Sequence, residues 1–193
     1  MSHDQPSHSP SAAEVELAQR FAGIRQWGDP VLREAARPVD VFDDAIRSQA
    51  DQMLEIMDRA DGIGLAAPQV GITRRLVVYR EPDTLTTRVL VNPRVATASD
   101  EQQLGLEGCL SIGYSRIAVE VSRSTDVTVS AQDADGADVE IVATGRHARV
   151  LQHEIDHLDG VLMLDRIDPE QRKAALRALR LGEPFSPPAS EPE

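Results

Sequence analysis

Cysteine, aromatic side chains and positive charge are all scarce in this sequence. A single cysteine, Cys109, excludes an intrachain disulfide and fits a reducing compartment. Aromatic residues make up 3% of the chain, so the core must be built from Leu, Val, Ile, Ala and Met. That scarcity argues against a base-stacking surface for single-stranded nucleic acid. Lys and Arg number 20 against 32 Asp and Glu, and the resulting net charge of −12 disfavours nonspecific contact with phosphate backbones. No apolar run approaches the roughly 20 residues of a membrane-spanning helix, and the first residues lack the pattern of a secretory signal. The expectation is a soluble, cytoplasmic protein with no membrane partner.

What is present suits one domain, since a chain of 193 residues buries roughly two thirds of its unfolded surface. Residues 1–11 are rich in Ser, His and Pro, and residues 183–193 carry four prolines among several acids. Both ends read as disordered. The division expected is a largely disordered extension over 1–23 with a helix-compatible stretch inside it, a compact domain over 24–181, and a tail over 182–193.

Within the domain, Ile46, Ala50, Met53, Leu54 and Met57 recur at helical spacing after Asp43, with Gly62 and Gly64 beyond, which predicts a helix over 43–58. Short β-branched segments at 76–79, 89–91, 117–121, 127–130 and 139–142 predict strands, with a hairpin turn at 133–136. A second helix is predicted over 144–159. At about 100° per residue, Ala148, Leu151, Ile155 and Leu158 share one sector, and Val150, His153, Glu154 and His157 a second. Arg149, Gln152, Asp156 and Asp159 form a third, the one suited to solvent, so most of this helix is expected to be buried. A third helix over 169–181 starts behind Asp168 as cap, with Pro169 in the first position.

The second helix contains His153-Glu154-Ile155-Asp156-His157. Two histidines four apart project side by side, so both imidazoles can reach one metal ion, and the Glu between them can take a proton from water there. A catalytic site of this kind needs a third protein ligand. A histidine after Gly160 would supply it, but the matching position is Met163, and the acids further downstream, such as Glu183, fall in the tail. Upstream, Cys109 stands in a Gly-flanked turn; alone it would be an inert buried residue, and beside a site short of a ligand it is the best candidate. The segment 62–69 has two glycines and a proline, giving a tight loop whose backbone can approach a ligand, and no Lys follows to make it a phosphate loop.

Together these segments resemble the peptide deformylase family, whose signatures G-x-G-L-A-A-P-Q, E-G-C-L-S and Q-H-E-x-D-H-L-x-G stand complete at 62–69, 107–111 and 152–160. The resemblance implies hydrolysis of the formyl group from the N-terminal formylmethionine of nascent polypeptides, releasing formate. It implies Cys109, His153 and His157 as metal ligands, with Fe2+ as the working ion and Zn2+, Ni2+ or Co2+ able to substitute. It implies Glu154 as general acid and base, with the Gln69 amide and the Leu110 backbone N–H on the oxyanion. Ile63, Leu110 and Val150 are expected to wall the methionine pocket, Gly64 is expected among the substrate-binding residues, and Arg116 matches a position where the family often has Arg near the bound peptide. The chain departs at Gly113, where family members often have Pro. Glu107 reads as a residue orienting groups around the site or as a solvated turn acid. Arg149 reads as bordering the pocket or, preferably, as a partner of Asp156. Arg172, Lys173, Arg177 and Arg180 on the last helix read equally as a ribosome-docking face or as a solvated one. Two other classes share part of the pattern: a hydrolase or protease of different substrate range, which would not need Gln69 and 107–111 as a set, and a noncatalytic metal module, which would not need Glu154. The fold expected is α+β, with mostly antiparallel short strands packed around the buried metal-binding helix, the 43–58 helix on the sheet and a C-terminal surface helix.

Overall fold

The computed structural model describes residues 11–188; the tail readings at 1–10 and 189–193 lie outside them. The three predicted helices form where the pattern sets them, because local chemistry fixes their ends. Helix α2 (Asp44–Arg59) starts at Asp43, whose side chain accepts from the N–H groups of Ala45 and Ile46. Helix α4 (Pro169–Leu181) starts at Asp168, which accepts from Glu170 and Gln171, and stops at Gly182 in the left-handed conformation, φ 67°. Helix α3 (Gly145–Leu158) carries the H-E-x-x-H residues. Helix α1 (Ala12–Arg20), inside the expected extension, is closed by a capping box of Ser11 and Glu14 and has no buried residue of its own.

Among the described residues, seven strands form two antiparallel sheets. The larger runs β1 (Gly64–Ala66), β2 (Leu76–Arg80), β3 (Thr87–Ala98), β6 (Asp126–Gln132) and β7 (Asp138–Thr144) in the order β1-β2-β3-β6-β7. The smaller pairs β4 (Gln102–Gly108) with β5 (Ala118–Ser124) over seven residues, from Gln102 opposite Ser124 to Gly108 opposite Ala118. Strands β1 and β4 were not foreseen. The first is three residues inside the glycine loop, and the second, Gln-Gln-Leu-Gly-Leu-Glu-Gly, lacks β-branched residues and exists because β5 offers it a full ladder.

Helix α2 covers one side of the large sheet, where Ile46, Met53 and Met57 join Leu65, Leu76 and Val78 in one apolar cluster. Helix α3 packs Ala148, Leu151, Ile155 and Leu158 into a second cluster with Val77, Tyr79 and Val129. Leu151 and Leu158, fully buried, contribute about 1.5–3 kcal/mol each. Ala175 and Ala178 seat α4 against Val119 and Val121 of β5, leaving its basic residues outward. One expectation for α3 is corrected. Its third sector is only partly left to solvent: Asp159 is exposed, but Asp156 is buried, because Arg123 from β5 and Arg166 reach over to pair with it. Among the described residues no helix is long and apolar enough to cross a membrane.

Candidate metal centre

Three elements meet at one point. Helix α3 supplies His153, Glu154 and His157, the turn after β4 supplies Cys109, and the 3-10 turn Ala67–Val70 supplies Gln69. The ligand atoms of Cys109, His153 and His157 all lie within 4.8 Å of one another, and Cys109 Sγ is 3.2 Å from His157 Nε2. Cys109 and His157 are buried, and 11% of the His153 side chain remains exposed on the cleft side.

Glu107 organises the first histidine. Its Oε2 is 2.8 Å from His153 Nδ1, and Arg123 holds both its oxygens at 2.9 and 3.0 Å. Burial pushes this carboxyl up, but the hydrogen bonds from His153 and Arg123 outweigh it and hold it below the usual carboxylate range. An ionised Glu107 can only accept, so His153 donates from Nδ1 and turns Nε2 toward the thiol. Burial drives the His157 imidazole well below its ordinary value, so it is neutral, as a ligand must be. One cysteine sulfur and two imidazoles, brought together from the turn after β4 and from α3, suit a divalent transition ion with a fourth position open. The residues fit a single metal ion.

The other groups face the same point. Glu154 is buried, which pushes its carboxyl up to about 7, and its Oε2 has no hydrogen-bond partner. A Cβ at Gly64 would collide with Glu154 Oε1, so this glycine is needed for close approach rather than for its backbone angles. Gln69 accepts from the Ala66 N–H at 2.8 Å through Oε1, which aims Nε2 at Ser111 Oγ, 3.2 Å away, and at Cys109 Sγ, 3.7 Å away. The N–H of Leu110 has no acceptor among the described residues. These groups open onto a cleft of about 580 Å³.

The polypeptide deformylase family model matches residues 21–173. The chain belongs to the peptide deformylase family. It is 46% identical over 149 residues to the peptide deformylase of Thermotoga neapolitana, covering 77% of this chain and 88% of that one. It is 42% identical over 165 residues to peptide deformylase 1 of Corynebacterium efficiens, covering 84% and 96%. The crystal structure of peptide deformylase from Thermus thermophilus superposes with a TM-score of 0.77 at 42% identity, covering 83% of this chain and 93% of that one. The α+β deformylase fold, the hydrolase activity and the Cys-His-His metal site follow from these likenesses and the geometry together.

Most of the residues singled out from the deformylase signatures line the cleft: Ile63, Gly64, Gln69, Leu110, Val150 and Glu154 do so with Cys109 and His153. Arg116 does not. It borders a different cavity, with Trp27, Tyr114 and α1, because Gly113 at φ 60° and Tyr114 at φ 55° turn the chain through two left-handed residues. For Arg149, which lines the cleft, the preferred pairing with Asp156 is corrected. It pairs with Glu107 at 2.9 Å rather than with Asp156, and it donates to the carbonyls of Gln103 at 2.6 Å and Val121 at 2.7 Å. It thus ties β4 and β5 to α3 at the cleft wall. Arg123 was missed, although it occupies the inward side of β5 after Val119 and Val121, where alternation calls for an apolar residue.

Proposed function

We propose that the cleft removes the formyl group from N-terminal formylmethionine through Glu154, Gln69 and Leu110, with Cys109, His153 and His157 holding one Fe2+ ion. The observation that carries this reading is the buried carboxyl of Glu154, whose Oε2 has no hydrogen-bond partner and which lines the open cleft beside the ligand residues. A divalent ion at these ligands would polarise the formyl carbonyl and make attacking water more acidic. Glu154 takes the proton from that water and returns it to the leaving amine, a role suited to a carboxyl poised near 7. The Gln69 Nε2–H and Leu110 N–H are aimed before any charge develops and stabilise the oxyanion. Ile63, Leu110 and Val150 wall the methionine side chain. A thiolate with two imidazoles accepts several ions, and Fe2+ accords with the family resemblance, Zn2+, Ni2+ or Co2+ being able to replace it.

The working unit is assigned to residues 24–181, acting in the cytoplasm on nascent chains, with Arg172, Lys173, Arg177 and Arg180 as a ribosome-facing set. The outward basic side of α4 on a chain of net charge −12 supports that docking. The decisive experiment measures formate released anaerobically from formyl-Met-Ala-Ser and from acetyl-Met-Ala-Ser, with metal counted per chain. Turnover of the formyl peptide alone, lost in Glu154→Ala with metal retained, is expected. Inactivity on both peptides with metal bound would make the protein a binding module.

A further inference from the structure

The cleft is longer than a methionine side chain requires, and its far end carries a free cation. Residues 146, 149, 150 and 153 share one stripe of α3 by helical spacing, and all four line the cleft. The contacts across it set a register. Arg149 donates to the carbonyls of Gln103 and Gly105 at 2.6 and 3.4 Å, and His153 Nδ1 lies 2.8 Å from Glu107 Oε2. Helix α3 and strand β4 therefore run side by side in the same direction. Moving from His153 back to Arg146 moves from Glu107 toward Gln103, about 10 Å along the helix axis at 1.5 Å per residue. A peptide held with its formyl group at the metal ligands can reach that end only with its following residues. At about 3.4 Å per extended residue, the third residue arrives there.

The charges in the cleft differ in how they are occupied. Asp61 is paired with Arg20 at 2.8 Å, Glu107 is held by His153, Arg123 and Arg149, and Arg149 is spent on Glu107 and main-chain carbonyls. Glu154 sits at the reacting end. Arg146 is exposed, lines the cleft, and makes no hydrogen bond or ion pair with any described residue. Its five N–H donors are available to an acceptor on the peptide. On a protein of net charge −12, this is the point along the cleft where a carboxylate meets attraction rather than repulsion.

We propose that Arg146 is a specificity residue, favouring formylated peptides that carry an acidic side chain around their third residue. The proposal rests on the deformylase reading of the same cleft. The test compares kcat/KM for formyl-Met peptides bearing Glu or Gln at the second, third or fourth residue, in the wild type and in Arg146→Ala, Arg146→Lys and Arg146→Glu, with metal counted per chain. An exposed ion pair predicts a Glu-over-Gln preference of about two- to fivefold at the matching position. The preference is expected to shrink in about 0.5 M salt, persist in Arg146→Lys, vanish in Arg146→Ala and reverse in Arg146→Glu. Equal Glu-to-Gln ratios in the wild type and Arg146→Ala at all three positions would overturn the proposal. Wild-type turnover of formyl-Met-Ala-Ser separates the two levels: its absence sinks the deformylase reading, whereas its presence with unaltered ratios sinks the role of Arg146 alone.

Discussion

Replacing Arg123 with Met should damage the metal centre without touching a ligand. The guanidinium is 5% exposed and lies between two buried carboxylates, bonding Glu107 through Nε and Nη2 and Asp156 through Nη1. Deleting one partner of a buried pair typically costs about 3–5 kcal/mol, because the charge left behind cannot regain water. Glu107 keeps His153 and Arg149, and Asp156 keeps Arg166, so the lower end is expected. About 3 kcal/mol corresponds to a fall of roughly 6–12 °C in melting temperature for a chain of this size. A loosened Glu107 also orients His153 less well, and loss of such an outer partner typically weakens metal affinity roughly 10–100-fold. The pH dependence has a definite sign. Glu107 has a depressed folded pKa, so its stabilisation is present above its ordinary value of 4.5 and is lost as pH falls through the folded value. The gap between wild type and Arg123→Met should therefore be widest near neutrality and narrow below about pH 4.5. Thermal unfolding across pH, with chelator competition for the metal, reads both effects. A melting temperature within about 2 °C of wild type together with undiminished metal retention would refute the reasoning.

Gln69→Ala should keep its metal and lose roughly a hundredfold or more in kcat, as for removal of one oxyanion donor; a change confined to KM would remove Gln69 from that role. Gly64→Ala places a Cβ against the Glu154 carboxyl and, with Glu154 as the proposed base, should lower kcat at least about tenfold with metal content unchanged. Without metal, burial raises the Glu154 carboxyl to about 7, so ionising it costs the folded state stability as pH rises from its ordinary 4.5 toward 7. Metal-free Glu154→Gln should match wild type near pH 4.5 and exceed it by about 3 kcal/mol above pH 7, and parallel stability curves in urea would contradict this. Cys109→Ser exchanges a thiolate for a weak neutral ligand and should lose metal during dialysis against chelator; full retention would remove Cys109 from the ligand set.

The legible parts of the fold are those that local chemistry determines. Helix α4 can be read to both ends because Asp168, Pro169 and Gly182 each act on their own neighbours. Strand β4 cannot, since its extended form depends on the seven-residue ladder with β5 and on Arg149 binding its carbonyls, contacts made across many intervening residues. Arg116 is a different case. Its position follows the family pattern, but Gly113 and Tyr114 both take left-handed backbone angles and carry it to another cavity. The departure at Gly113 was visible in the sequence, and its consequence was not.

The site divides along the same line. His153, Glu154 and His157 are legible because one helix turn brings them together, and Cys109 follows because the set lacks a ligand. Glu107 and Asp156 belong to a longer chain of contacts whose central member, Arg123, has no motif. Its signal is a cation on the inward side of β5, after Val119 and Val121, and a buried cation requires buried acids. Sequence alone does not say which acids, because the partners lie 16 and 33 residues away. With the partners known, the Asp in H-E-x-D-H acquires a physical role. Asp156 binds the back of Arg123, Arg123 clamps Glu107, and Glu107 fixes the Nδ1–H of His153, so the Nε2 of His153 is aimed by three residues outside the ligand set.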